Sequence, residues 1–388
     1  MDVIAQTQAT TLNIAKMSDY SDVPAYSEPV GTFVSLYAGA GGLDIGFALA
    51  GFAPVWVSEL DRDAMATHDE AFKLLAEDRP HLRGNTYVSK TGDLLALQDD
   101  ELPALGSADL VIGGPPCQGF SVAGKMDPND ERSKHVFHFL DIVERVQPKA
   151  FLLENVKALY ENRRWASIRE ELVARADQLG YNTLVILANA SHFGVPQARE
   201  RMLFFGVRKD LGHPVAPVAT SADNLPTVRQ ALSQLPLYGT PGNDSRCIAK
   251  ITTAKAPVLR RSPFAGMLFN GAGRPLNLDA PSFTLAASMG GNKTPIIDQR
   301  VLEFEDTESW VVDYHSELWE TNGQSVVNDV PDHLRRLTVE EASAIQTFPL
   351  GLKWQGRQSS RFKQIGNAVP PRLGLAAALA LKNALALD

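Results

Sequence analysis

The feature that most constrains this chain is a strand–turn–helix cadence that starts near Thr32 and repeats until about Val207. Residues 32–38 are rich in β-formers and end in Gly39-Ala-Gly-Gly42, after which residues 43–50 read as a helix. Residues 53–58 predict a second strand and 62–75 a second helix. Residues 108–112 form an apolar run closed by Gly113-Gly-Pro-Pro116, and 136–146 carry helical apolar spacing. Strands are then expected at 150–153, 182–188 and 202–207, with a helix at 165–179. Strands separated by helices cannot pair as simple hairpins, so the expected fold is α/β, a doubly wound, mostly parallel sheet. Such sheets bind ligands at the carboxyl ends of their strands.

The chain has 388 residues, which suits two domains rather than one. After about residue 207 the helical periodicity fades and Pro, Gly, Ser and Thr become frequent. A smaller, irregular domain is expected over 208–332, with 333–388 returning to the first domain and 1–30 forming a loose arm. Thr338 followed by Glu341 predicts a capping box at a helix start. Residues 373–387 are apolar but short for a membrane span and interrupted by Lys382 and Asn383, so they read as a buried helix. The first 30 residues show no apolar signal-peptide core. The two cysteines, Cys117 and Cys247, argue against a disulfide framework and a Cys-based metal site. No metal and no membrane partner are expected, and a cytoplasmic location is.

The net charge of -8 does not point to nucleic acid, but its distribution is uneven. Residues 207–300 hold 11 basic against 5 acidic residues, and 301–330 hold 8 acidic and no Lys or Arg. Charge alone decides nothing; the motifs must.

The Gly-rich turn after the first strand lets a ligand approach the backbone closely. Glu59 follows Gly39 by 20 residues, at the end of the next strand, which suits a carboxylate on ribose hydroxyls. Gly92-Asp93 offers a second carboxylate near the same edge. This reads as a site for an adenosine-containing cofactor without choosing which. Gly113-Gly-Pro-Pro-Cys-Gln-Gly-Phe-Ser121 holds a thiol rigidly beside a flexible loop, as a nucleophile under a lid requires. Most lone cysteines are inert small hydrophobes, but rarely in so polar a setting. Glu154 ends an apolar strand, so partial desolvation should raise its pKa and favour proton donation. Arg199 and Arg201 are two apart, which on an extended segment places both on one side. The plainer readings are a helix-capping Glu and surface arginines.

Taken in order, these segments resemble the cytosine-5 DNA methyltransferase family, of the bacterial restriction-modification type. The resemblance covers about 32–207 and 335–372, and includes Arg336-Leu-Thr-x-x-Glu-like spacing, with Glu340 and Glu341 both nearby, and Gln364-Ile-Gly-Asn-Ala-Val-Pro370. It implies a Rossmann-like methyltransferase fold that binds S-adenosyl-L-methionine through Tyr37, Gly39, Gly41, Gly42, Glu59, Leu60, Asp93, Leu94, Pro116, Asn367 and Ala368. The family often carries Phe at the position of Tyr37 and Trp at that of Leu60. It implies Cys117 as the nucleophile toward carbon 6 of cytosine, Glu154 at ring nitrogen 3, and Arg199 helping to hold the base. Gln118, Ser121, Arg201 and Thr284 are expected to meet double-stranded DNA, and 208–332 to form the target-recognition domain. The cytosine must be flipped out of the duplex. A monomer, nucleoid-associated and functionally paired with a restriction endonuclease, is expected. The same core could serve transfer RNA; the long basic insert favours duplex DNA. A nicotinamide dehydrogenase would leave Cys117, Glu154 and Arg199 without work, and an inactive DNA-binding scaffold would not be expected to keep them.

Overall fold

The computed structural model describes residues 17–116, 134–221, 224–304, 307–324 and 329–387. In chain order its elements are β1 (Gly31–Leu36), α1 (Gly42–Leu49), β2 (Phe52–Glu59), α2 (Arg62–Asp78), β3 (Val88–Thr91), β4 (Leu110–Gly113), α3 (Lys134–Val146) and β5 (Ala150–Val156). There follow α4 (Lys157–Glu161), α5 (Ala166–Gln178), β6 (Tyr181–Asn189), β7 (Gln197–Ala198), β8 (Glu200–Arg208) and α6 (Val228–Leu232). The remainder is β9 (Thr253–Val258), β10 (Met267–Phe269), β11 (Ser282–Phe283), β12 (Ile296–Asp298), α7 (Gln299–Glu303), α8 (Trp310–Glu320), β13 (Leu334–Arg336), α9 (Val339–Ile345), α10 (Gln358–Asn367) and α11 (Pro371–Ala384).

Seven strands form one sheet in the order β3-β2-β1-β4-β5-β8-β6. Its first five strands are parallel, and β8 enters antiparallel between β5 and β6. The expected doubly wound sheet is present. Side chains alternate between its faces because the strand period is two. Leu110, Ile112, Leu152, Leu203 and Phe205 join the core under α1 and α11. Val111, Phe151, Leu153, Met202 and Phe204 join the core under α3 and α5. Gly206 has a specific reason to be glycine: a Cβ there would fall 2.0 Å from the ring of Phe151, which packs against Tyr181 and Phe204. The C-terminal helix α11 crosses α1 backbone to backbone, since a Cβ on Gly46 would lie 2.4 Å from the carbonyl carbon of Gly374.

Two expectations need correction. The N-terminal segment is not loose from Met17 onward. Met17 and Tyr20 are buried, Arg372 grips Asp22 with both terminal nitrogens (3.0 and 2.7 Å), and Arg79 donates to the carbonyls of Tyr20, Val23 and Pro24. Part of the attachment runs through backbone carbonyls, which residue type does not disclose. The region after residue 207 is also less irregular than its Pro and Gly content implies. Helix α8 buries Val311, Tyr314, His315 and Leu318 against Leu268, Phe269 and Ile296 in a core of its own. That core is tied to the C-terminal segment, because β12 pairs antiparallel with β13.

A buried polar chain underlies the Gly-rich turn. Ser35 donates to Asp44 (2.8 Å), Asp44 pairs with His68 (2.9 Å), and His68 meets the hydroxyl of Tyr87 (3.2 Å), which donates to Asp69. Burial opposes a charge on His68, yet the Asp44 and Asp69 carboxylates outweigh it and push its pKa from 6.5 to about 9. A histidine pKa raised by folding stabilises the fold fully below its unfolded value and loses that contribution as pH rises through about 9. Thermal denaturation from about pH 6 to about pH 10 should show that decline, and His68→Asn should flatten it; equal slopes in the two proteins would remove His68 as the source.

Candidate active site

The carboxyl ends of β1, β2, β4 and β5 lie at one edge of the sheet, with Glu59 at the end of β2 and Glu154 near the end of β5. The strand β1 runs into Tyr37, Gly39 and Gly41, all with positive φ (57°, 59° and 84°). The three glycines of the turn have different work. A Cβ on Gly39 would meet nothing within 4 Å, so its face is open to a ligand. A Cβ on Gly41 would strike His68 at 2.8 Å, and one on Gly42 would lie 2.0 Å from the carbonyl oxygen of Val369. Gly41 and Gly42 therefore let protein, not ligand, come close.

Glu59 ends β2 beneath this turn. One carboxylate oxygen accepts from the Gly39 N–H and the other from the Asp61 N–H, both at 2.8 Å. Burial raises its pKa, and those two N–H donors pull against the rise. The carboxylate is thus oriented by backbone with lone pairs left for a diol. Leu60 beside it is 69% exposed, an apolar side chain held over the open edge. Asp93 is exposed and caps the turn containing buried Leu94. The Tyr37 hydroxyl meets Nδ1 of His135 at 3.1 Å, with the rings edge to face. Burial pushes the Tyr37 hydroxyl up and the His135 imidazole down, so both stay neutral near neutral pH. His135 was not anticipated from sequence; a histidine in a helical apolar run carries no motif.

The second cluster lies at the ends of β4 and β5. Asn155 donates to the Pro115 carbonyl at 3.2 Å and so fixes the approach to Pro116, which is half-buried. A Cβ on Gly114 would sit 2.9 Å from Oε2 of Glu154, so the chain passes directly over that carboxyl. Cys117, Gln118 and Ser121 lie outside the described residues. Glu154 is buried and pairs with Nε of Arg201 at 2.9 Å. Burial raises its pKa, against the charges of Arg201 and then Arg199. The upward direction is the one expected of a carboxyl at a strand end.

Arg199 and Arg201 share the Glu154 side but differ in reach. Arg201 engages the carboxylate directly. Arg199, 1% exposed, donates to the carbonyls of Leu285 (3.3 Å), Gly366 (2.9 Å) and Asn367 (3.3 Å). Beside it Thr284 donates to the Ala198 carbonyl, and Gln197 accepts from the Leu285 N–H. The segment from β7 into β8, which bears the two arginines, is therefore where the region after residue 207 docks. Asn367 is exposed and Ala368 buried, in the segment whose Val369 carbonyl reaches Gly42. One stretch, Gly366 to Val369, thus touches the Gly-rich turn and the arginine strand together. The other thiol, Cys247, is half-buried, with Sγ 3.6 Å from Oγ1 of Thr294. Among the described residues no group of three His, Cys, Asp or Glu side chains could hold a metal ion.

A doubly wound sheet with an open glycine turn, an oriented carboxylate at the end of the next strand and a buried carboxyl paired with arginine is a Rossmann-like fold with a candidate active site at its carboxyl edge. The family of C-5 cytosine-specific DNA methylases matches residues 31–383, and the chain belongs to that family: it is a DNA methyltransferase. It is 28% identical over 438 aligned residues to the type II methyltransferase M.AgeI of Thalassovita gelatinovora, covering 91% of this chain and 99% of the relative. It is 32% identical to the type II methyltransferase M.PspPI of a Psychrobacter species, covering 89% of this chain and 77% of the relative. Among solved structures, a prophage-encoded protein of E. coli described as a DNA modification methyltransferase superposes with TM-score 0.61 at 22% identity, over 92% of this chain and 99% of the other. That last likeness concerns the fold.

Proposed function

We propose that the protein transfers a methyl group from S-adenosyl-L-methionine to carbon 5 of a flipped-out cytosine in a specific duplex sequence, as the modification enzyme of a restriction-modification system. The observation that carries this reading is the Glu154–Arg201 pair under Gly114. It sets a buried, proton-donating carboxyl beside the two prolines that lead to Cys117. The names of the relatives, type II methyltransferases, support the modification role.

The residues around Gly39 fit the cofactor: an open face, an oriented carboxylate in Glu59, an apolar cover in Leu60, and Tyr37, Asp93, Leu94, Pro116, Asn367 and Ala368 around the edge. When bound there, S-adenosyl-L-methionine supplies an electrophilic methyl group. Carbon 5 of cytosine is a weak nucleophile. Addition of the Cys117 thiolate to carbon 6 makes the ring an enamine, provided nitrogen 3 is protonated or hydrogen-bonded. Glu154, with its pKa raised, is suited to donate that proton, and Arg201 holds it in place. Arg199 acts on the same carboxyl by charge and fastens the recognition region to the site. Once carbon 5 had taken the methyl group and released the demethylated cofactor, loss of the carbon 5 proton to solvent and return of the nitrogen 3 proton to Glu154 would expel the thiolate and restore the ring. Gln118, Ser121 and Thr284 are assigned to DNA contact; Arg201, expected there as well, is assigned to Glu154 instead, because its Nε pairs with that carboxylate.

The assignment of 208–332 to target recognition and of 333–388 to the first domain stands on the docking at Leu285 and on β12–β13. Work as a cytoplasmic monomer beside an endonuclease completes the reading. Among the described residues no helix is long and apolar enough to cross a membrane.

The direct test is transfer of labelled methyl to duplex DNA and to transfer RNA, followed by bisulfite sequencing; labelling of RNA alone would replace the substrate. Glu59→Ala should weaken S-adenosyl-L-methionine binding about tenfold or more in calorimetry, since a hydrogen bond to a charged group contributes about 1.5–3 kcal/mol. DNA affinity should change far less, and an unaltered cofactor affinity would take Glu59 out of the pocket.

A further inference from the structure

Ile248 is 95% exposed, more than any other large hydrophobic side chain among the described residues. A lone exposed apolar residue normally needs no explanation. This one differs because the backbone around it is clamped. Gln358 donates to the carbonyls of Ser245 (3.2 Å) and Arg246 (2.8 Å). Arg336, itself 2% exposed, donates to the carbonyls of Ala249 (2.9 Å) and Lys250 (3.5 Å). Ser245 is bound to Glu340 through both its N–H (3.3 Å) and its hydroxyl (2.6 Å). Side chains from the C-terminal segment thus hold the main chain on both sides of Ile248 and leave its side chain in water.

The neighbours repeat the arrangement. Exposure alternates from residue 246 to 250, with Arg246, Ile248 and Lys250 exposed and Cys247 and Ala249 half-buried. That is the period of an extended segment, so Arg246, Ile248 and Lys250 leave it on one side, the Arg246 guanidinium lying 5.1 Å over the ring of Tyr238. Arg246 and Lys250 stand about 13 Å apart at roughly 3.3 Å per residue. The major groove of B-DNA is about 12 Å wide, with phosphates on both rims. Cys247, between them, faces Gly291 and Thr294 of the stretch that continues from Thr284, the residue bound to the arginine strand. The face therefore belongs to the same body of chain that docks on the active site.

We infer that Ile248 is a sequence-reading residue: it makes apolar contact with the 5-edge of a pyrimidine in the major groove, while Arg246 and Lys250 take the flanking phosphates. This rests on the reading of 208–332 as the target-recognition region. The 5-edge is where thymine carries a methyl group and cytosine a hydrogen, so an apolar side chain there distinguishes the two without a hydrogen bond.

The test is a cycle between protein and DNA. Each non-target pyrimidine of the cognate duplex is altered at position 5, thymine to uracil or cytosine to 5-methylcytosine, and methylated by wild type and by Ile248→Ala. At one pyrimidine, wild-type kcat/KM should change roughly fivefold to tenfold, the scale of one buried methyl group with its packing. Ile248→Ala should lower kcat/KM on the unmodified duplex by a similar factor and be insensitive to that alteration. Exposure of the side chain means the melting temperature should not move. Independent, multiplying effects at every pyrimidine, or wild-type behaviour of Ile248→Ala on cognate and near-cognate DNA, would overturn the assignment. Arg246→Ala and Lys250→Ala separate this from the underlying reading. Weaker binding to all duplexes with a shallower salt dependence places the face on DNA. Unchanged binding by both would sink the DNA-facing role itself, whereas weaker binding without coupling at Ile248 would sink only the base reading.

Discussion

Cys117→Ala is expected to abolish methyl transfer while leaving DNA affinity intact. The substitution removes one sulfur atom and no charge that binding in the resting state would need. Without a nucleophile at carbon 6, carbon 5 has no enamine character. The loss in turnover should be on the order of 10⁴-fold or more, as for other nucleophile deletions. Cys247 cannot substitute: it is half-buried, with its Sγ 3.6 Å from Oγ1 of Thr294. Labelled methyl transfer and a mobility-shift assay measure the two properties separately. A duplex with fluorine in place of hydrogen on the target carbon 5 cannot lose its proton, so wild type should remain covalently attached to it under denaturing conditions. Substantial turnover by Cys117→Ala, or attachment through it, would falsify the assignment.

The second large effect is expected at Glu154. Glu154→Gln keeps the shape but leaves no carboxyl beside Arg201 that can take up and release a proton. General acid–base groups contribute about 10²- to 10⁴-fold, and kcat should fall by that order. The pH dependence follows from the direction of the shift. Burial raises the Glu154 pKa, so the protonated form persists closer to neutrality than in an ordinary glutamate. Its proton is lost as pH rises, so kcat should decline on the alkaline side of that pKa, and the decline should be absent in Glu154→Gln. Arg201 lowers the pKa, so Arg201→Ala should move the decline to higher pH. For stability the sign is the same. A carboxyl whose pKa folding raises favours the folded state most below its unfolded value near 4.5 and loses that preference as pH rises through the folded pKa. A pH profile unchanged in Glu154→Gln would mean that another group delivers the proton.

How much of this was legible before folding differs from element to element. The strands β1, β2, β4 and β5 were legible because they are largely apolar runs buried on both faces, and β1 and β4 run directly into Gly- or Pro-rich turns. The capping box at Thr338 and Glu341 was legible because a cap is a local hydrogen-bond exchange, and both bonds form. Helix α8 was missed although Val311, Tyr314, His315 and Leu318 have helical spacing. Its acidic residues and those just before it masked a pattern that is only half apolar. The attachment of residues 17–30 was invisible because it depends on the backbone carbonyls that Arg79 and Arg372 reach across more than 50 residues of sequence.

The sequence by itself determined the sheet, the order of its motifs and the chemistry those motifs permit. Periodicity, turn residues and residue types are properties of neighbouring positions. Only the tertiary structure decided how that chemistry is divided. It separated Gly39, open to a ligand, from Gly41 and Gly42, which are closed by His68 and Val369. It set Arg201 against Glu154 and Arg199 against the carbonyls of Leu285 and Gly366. It pinned the backbone on either side of Ile248 with Gln358 and Arg336. In each case the deciding partner lies far away in sequence, and a side chain's work depends on which distant atom comes within about 3 Å of it, a distance that no local pattern encodes.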